Sequence, residues 1–154
     1  MIKQKNVPAA AMDMVVVDLL AGRGSHGGRN RQSGQLYRIG DLAEEFDLTL
    51  RTLRFYEDKG LLSPRRAGVT RLYDQNDHAR LRLIVFGRRI GFTLREVGQL
   101  IGVWEDGAAD TAQADALRDR FREKLVDLEK KKDAIDRSVE ELRTILARME
   151  MKPV

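Results

Sequence analysis

The apolar positions of residues 36–102 fall into short helical and strand periods separated by strong stop signals. Ile39, Leu42, Ala43 and Phe46 are spaced i, i+3, i+4 and i+7, which predicts one face of a helix over residues 38–46. Asp47 and Leu48 then make a brief turn. Thr49 stands at an N-cap position, and the next helix runs from Leu50 to about Lys59, where Gly60 can take the left-handed conformation that closes a helix. Two short helices joined by so few residues form a helix-turn-helix. Pro64 bars further helix, and Arg65 to Tyr73 reads as two short strands around a turn at Ala67-Gly68, a small basic hairpin or wing. A longer helix over 76–90 turns Leu81, Ile84, Val85 and Ile90 inward and stops at Gly91. The helix after it starts with a capping box, Thr93 with Glu96, and a hydrophobic staple, Phe92 with Val97, and is expected to end near Gly102.

Residues 103–112 read as a connector. From Gln113 to residue 150 there is no Gly or Pro, and Phe121, Leu125, Leu128, Ile135, Val139, Leu142, Leu146 and Met149 step by fours and threes, with Lys132 the one exception in the seam. One such helix beside a small domain has too little to bury its stripe against, so pairing with a second copy is expected. The fold class is therefore mainly α: a winged helix-turn-helix domain over 36–102 plus a long C-terminal dimerisation helix over 113–150.

Composition narrows the chemistry. Formal charge is +4 over 154 residues, distributed as +3 in residues 1–35, +3 in 36–102 and −2 in 103–154, so the basic excess lies ahead of the long helix. Nucleic acid and acidic membrane surfaces both remain partners for such a balance. Cysteine is absent, which removes disulfides, cysteine-held zinc or iron–sulfur centres and thiol nucleophiles from this sequence; no cofactor is expected. Residues 21–35, AGRGSHGGRNRQSGQ, hold almost nothing that could be buried, and 1–35 is read as a flexible extension in which His26 is simply solvated. VVVDLL before them could dock as a small element, while Met12 and Met14 leave room for a later start of translation. The run from Met14 is interrupted by Asp18 and is far shorter than the ~20 residues of a membrane span, and little positive charge precedes it, which disfavours a secretory signal. A cytoplasmic protein without a membrane role is expected.

At 100° per residue Leu50, Leu53 and Glu57 share one side of the second helix, and Arg51, Phe55 and Lys59 share the other, with Thr52 and Arg54 on the flanks. An exposed ring among cations is costly in water and useful against a nucleic-acid groove. Arginine can read guanine bidentately, and threonine can touch base edges or thymine methyl groups. Arg65, Arg66 and Arg71 of the wing suit phosphates. The plainer reading is a solvated basic face with Phe55 and Tyr56 as core filler; Tyr56 flanks the buried side and fits either.

The string IGDLAEEFDLTLRTLRFYEDKGLLSPRRAGVTRLYD, continuing to GRRIGFTLREVGQLI, closely resembles the DNA-binding half of MerR-family transcription regulators. The shared features are the Thr-Leu-Arg-aromatic-Tyr-Glu helix, the Gly-Leu-Leu-x-Pro-x-Arg lead into the wing and the Gly-Phe-Thr/Ser-Leu-x-Glu staple, over about residues 37–102. By position, Arg51, Thr52, Arg54, Phe55 and Tyr56 match the recognition helix, and Arg66, Arg71 and Tyr73 the wing. The resemblance implies antiparallel pairing of the long helix and a homodimer on double-stranded promoter DNA. It further implies a pseudo-palindromic operator in a long promoter spacer, bent and untwisted for RNA polymerase. Three positions depart from the pattern: Phe55 where tyrosine is frequent, Thr70 in place of a wing tyrosine, and Arg38 where a Ser/Thr cap is usual.

Family members that sense metals or redox state use cysteines, which this sequence lacks. His78 is read as a surface residue and not a ligand. With Val154 so soon after the long helix, a large C-terminal ligand domain is not expected. GVTRLYD, GRRIGF and the lysine-rich helix look most like the small members linked to leucine, isovalerate or other acyl-CoA breakdown, which implies a coenzyme A thioester or related effector. Its expected place is the junction around Val103, Trp104 and the GAAD connector, where Trp104 otherwise serves as a buried anchor. No catalytic set or phosphate loop is visible, so an enzyme is not expected. The remaining alternative is a coiled-coil adaptor or a nonspecific nucleoid-binding protein.

Overall fold

The computed structural model describes residues 34–106 and 112–151, so the expectations for residues 1–33 and for the GAAD connector, with His26, lie outside the described residues. The chain runs β1 (Tyr37–Arg38), α1 (Ile39–Phe46), α2 (Leu50–Asp58), β2 (Arg65–Ala67), β3 (Thr70–Tyr73), α3 (Gln75–Arg89), α4 (Leu94–Asp106) and α5 (Ala112–Glu150). It divides into two units, the first ending at Ala114 and the second beginning at Asp115.

In the first unit, α1 and α2 form the helix-turn-helix. Asp47 closes α1 with a positive φ of 53°, and Leu48 N–H donates to the Ala43 carbonyl at 2.9 Å. Asp suits this position because a short polar side chain tolerates the left-handed region better than most. Thr49 caps α2, accepting the Thr52 N–H at 3.1 Å, an interaction worth about 0.5–2 kcal/mol at such positions. Arg38, with no hydroxyl to offer, does half of this for α1: its own N–H donates to Asp41 Oδ2 at 3.0 Å.

The wing is broader than the sequence suggested. β3 is the middle strand of an antiparallel sheet in the order β1-β3-β2, with Tyr37 opposite Tyr73 and Arg66 opposite Arg71. β1 was missed because two residues cannot show a period of two. The hairpin turn lies one residue later than expected, at Gly68-Val69, since Ala67 pairs with Thr70. Gly68 takes φ +64°, and the first central position of a two-residue loop is where a glycine relieves that strain.

Asp74 caps α3 through the Asp77 N–H at 2.9 Å. Leu81, Leu83 and Ile84 are buried there, while Val85 and Ile90, expected inward, are half-buried. The capping box of α4 forms in both directions, Thr93 N–H to Glu96 Oε2 at 2.8 Å and Glu96 N–H to Thr93 Oγ1 at 3.2 Å, and both staple residues, Phe92 and Val97, are fully buried. Gly102 does not end this helix; α4 continues through a half-buried Trp104 to Asp106, so residues 103–106 are helix and not connector. A glycine inside a helix costs only about 1 kcal/mol, which the buried Leu100 and Ile101 offset.

His78 is not a surface residue. It is 6% exposed, stacked on Tyr37 with ring centroids 4.7 Å apart, edge-on to Phe46, and its Nε2 lies 2.8 Å from Glu45 Oε1. The ring thus joins β1, α1 and α3, a role invisible to helical periodicity because all three of its partners are far away in the chain.

The second unit is the greater part of α5, a helix of 39 residues without Gly or Pro. Ion pairs one turn apart line it, including Arg118–Asp115, Arg122–Asp119 and Arg143–Glu140. Each such exposed pair contributes a few tenths of a kcal/mol at most, roughly 0.3–0.5.

Candidate nucleic-acid interface

α2 is anchored by Leu53 and Tyr56, which are buried. Leu50, expected inward, is instead 42% exposed, while Leu53 one turn on is fully buried. The opposite face shows Arg51, Arg54 and Phe55 to solvent. Phe55 is 43% exposed, with Lys59 Nζ 5.5 Å from its ring centroid, so the outermost ring is already dressed by a cation. The neighbouring aromatics are thereby separated: Phe55 faces out, and Tyr56 is core with one edge at the surface.

That edge helps form a hollow of about 300 Å³ lined by Arg51, Thr52, Phe55, Tyr56, Arg88 and Leu94. Three helices meet there. α2 supplies four of the residues, and the corner between α3 and α4 supplies Arg88 and Leu94, which sequence reasoning missed. Arg88 Nη1 donates to the Phe92 carbonyl at 2.8 Å, fixing the guanidinium beside the glycine corner. A signal existed: Arg88 and Arg89 stand in the last turn of the helix shortly before the predicted stop at Gly91.

The wing arginines are not alike. Arg65 and Arg66 are exposed, while Arg71 is half-buried and its Nε donates to Glu57 Oε2 at 2.9 Å. Arg66 Nη2 stands 3.9 Å from the other oxygen, Glu57 Oε1. Tyr73 corrects the sequence reading outright. It is 0% exposed, and burial, followed by the Glu57 charge, pushes its hydroxyl up to about 12, so it packs beneath the wing and reaches no solvent-side partner. Alternation along β3 places Tyr73 and Arg71 on one face, and both are turned to Glu57 there.

The lead from α2 to the wing is fastened by Asp77, 2% exposed, whose Oδ1 accepts the Ser63 N–H at 2.9 Å. Burial is the main cause that raises this carboxyl above 3.8, opposed by the Ser63 N–H. On α5 the seam residues are apolar and mostly open: Leu125, Ile135, Leu142, Leu146 and Met149 are more than half exposed, Leu128 and Val139 less so, and Phe121 is half-buried. Ile145, 52% exposed, widens the stripe. Among the described residues no group of His, Asp and Glu could hold a metal ion, and no helix is long and apolar enough to cross a membrane.

A capped helix-turn-helix, a basic recognition face and a flanking hairpin together define a winged helix-turn-helix protein. The family model described as MerR HTH family regulatory protein matches residues 37–102, and a second, MerR, DNA binding, matches residues 78–145. The chain belongs to the MerR family of helix-turn-helix transcriptional regulators. The HTH-type transcriptional regulator HmrR of Rhizobium leguminosarum bv. viciae is 38% identical over 94 residues, spanning 60% of this chain and 70% of that protein. An uncharacterized HTH-type transcriptional regulator of Pseudomonas aeruginosa is 35% identical over 109 residues, 70% of this chain and 75% of that protein. Among solved structures, the transcription regulator PbrR691 from Ralstonia metallidurans, in complex with lead(II), is 33% identical with a TM-score of 0.50, covering 70% of this chain and 84% of its own. HiNmlR, a MerR family regulator lacking the sensor domain and bound to promoter DNA, shares the fold with a TM-score of 0.60 at 21% identity, covering 73% and 85%.

Proposed function

We propose that this regulator acts as a homodimer on a pseudo-palindromic promoter site, bending and untwisting the spacer so that RNA polymerase engages it. The observation that carries the reading is the pairing of two surfaces: a recognition helix with Arg51, Arg54 and Phe55 turned out, and a 39-residue helix whose apolar stripe is exposed from Leu125 to Met149 among the described residues. Two copies joined along such stripes present two recognition helices, and a two-fold protein reads a two-fold site. Arg51 and Thr52 read base edges, Arg54 and the exposed wing arginines, Arg65 and Arg66, hold phosphates, and Phe55 packs against sugar or a thymine methyl. Control by a small metabolite such as a coenzyme A thioester belongs to the same reading through the resemblance.

Selection from a random duplex library, followed by footprinting on the recovered sequence, tests it. A protected, roughly palindromic site is expected, and Arg51→Ala should relax preference at one base position by about 1–3 kcal/mol. Binding that stays indifferent to sequence would favour the nucleoid-protein alternative, and no binding at all would favour an adaptor.

A further inference from the structure

One carboxylate sits inside the basic surface and organises it. Glu57 leaves the recognition helix and meets the wing with both oxygens: Oε2 accepts from Arg71 Nε at 2.9 Å and lies 3.5 Å from the Tyr73 hydroxyl, while Oε1 faces Arg66 Nη2 at 3.9 Å. Arg66 and Arg71 are direct partners across the hairpin, and like charges so placed repel. The Glu57 side chain, 19% exposed, is shielded from water enough for its charge to matter. The two contacts differ in kind. Arg71 is 23% exposed and closely bonded, whereas Arg66 is 59% exposed and only loosely paired.

We infer that Glu57 is a positioning residue for DNA binding, an internal stand-in for a phosphate that ties the wing to the recognition helix. Arg71 is the strut of that tie and stays with Glu57, while Arg66 is held in readiness and passes to a DNA phosphate. The inference rests on the DNA-binding reading above and assigns Arg71 away from the phosphate contact that the sequence suggested. Phosphate contacts fix the register of a protein on its duplex. A wing held at a set distance from the recognition helix therefore sharpens sequence choice without touching a base.

The test compares Glu57→Gln, Arg66→Ala and Arg71→Ala with the wild-type chain, on the duplex recovered by selection and on random duplex, across a salt series. Glu57→Gln keeps shape and hydrogen bonding but removes the charge. It should bind random duplex more tightly, steepen the salt dependence by up to about one unit of log K against log salt, and lose several-fold in the selected-to-random ratio. Arg66→Ala should flatten the slope by about one unit with the ratio kept. Arg71→Ala should leave the slope near wild type and lower the ratio. A merely structural Glu57 would shift melting and weaken both duplexes alike, with the slope unchanged; that result overturns the inference. Should Glu57→Gln fail to fold, the two arginine variants decide it, because a flattened slope in Arg71→Ala and none in Arg66→Ala reverses the assignment. If the wild-type chain selects no duplex, the regulator reading falls and takes this inference with it; a selecting wild type with an indistinguishable Glu57→Gln sinks the inference alone.

Discussion

Gly87 lies in the last turn of α3, where replacing a helical glycine by alanine normally stabilises by up to about 1 kcal/mol. Here the opposite is expected. A Cβ at residue 87 would stand 2.8 Å from Val97 Cγ2, with Leu100 Cδ2 at 3.7 Å and Phe92 Cβ at 3.8 Å. Carbon atoms prefer about 3.5–4.0 Å, so α3 and α4 must part by several tenths of an ångström or Val97 must turn. Val97 is fully buried and β-branched, and in a helix such a side chain has essentially one rotamer. Overpacking of this kind costs roughly 1–3 kcal/mol, and against the ~1 kcal/mol propensity gain the net loss for Gly87→Ala should be ~1 kcal/mol. In a domain of this size that lowers Tm by about 4–8 °C. Val97→Ala alone should cost roughly 2 kcal/mol through two lost methyl groups and the space they leave. In the Val97→Ala background, however, Gly87→Ala should be neutral or stabilising, giving a coupling of about 1–3 kcal/mol. Urea unfolding of the four proteins at one fixed protein concentration measures the cycle. Additive effects, or a stabilising Gly87→Ala in the wild-type background, would refute the packing account. Affinity for the selected duplex should follow the same pattern, because Arg88 and Leu94 of the hollow flank this contact.

Two further outcomes are expected. Replacing Leu128 and Leu142, both exposed on the α5 stripe, with aspartate should give a monomer that loses the selected duplex, read by sedimentation velocity; a wild-type chain already monomeric at micromolar concentration would refute the dimer. The pH dependence concerns Asp77, whose carboxyl is raised above 3.8 chiefly by burial, against the lowering by the Ser63 N–H and with a further rise from Asp74. The native state therefore takes up this proton before the unfolded chain does, so the stability Asp77 contributes is full below pH 3.8 and declines as pH rises through the raised native value. The stability of Asp77→Asn relative to wild type should accordingly improve between acid and neutral pH and then level off, and a variant-minus-wild-type urea midpoint that stays constant or falls as pH rises would contradict it.

How much of this was legible in the sequence depends on whether a signal is local. The Thr49 cap, the Thr93–Glu96 box, the Phe92–Val97 staple and the Gly60 stop each lie within a few residues of their partners, and the structure has them all. The outward placement of Arg51 and Phe55 follows from helical period alone and was equally readable. What failed depended on distant pairing. β1 exists because Tyr37 meets Tyr73, and His78 is buried because Tyr37, Phe46 and Glu45 converge on it. Gly102 looked like a stop only because its downstream packing could not be seen.

The same distinction sorts the basic surface. A count of cations in the wing gives three equivalent phosphate contacts, since net charge carries no information on which guanidinium is already occupied. Burial and partner geometry separate them: Arg65 and Arg66 are exposed, and Arg71 is spent on Glu57 at 2.9 Å. The arginine closest in chain to buried Tyr73 is also the least exposed of the three, because both side chains turn to Glu57 Oε2. Affinity in such an interface scales with the number of phosphates neutralised, but selectivity needs those cations held at fixed spacing from the helix that reads bases. An acid within a basic patch is then no flaw in the electrostatics. It exchanges a fraction of nonspecific attraction for register, and the salt slope of Glu57→Gln is where that exchange becomes measurable.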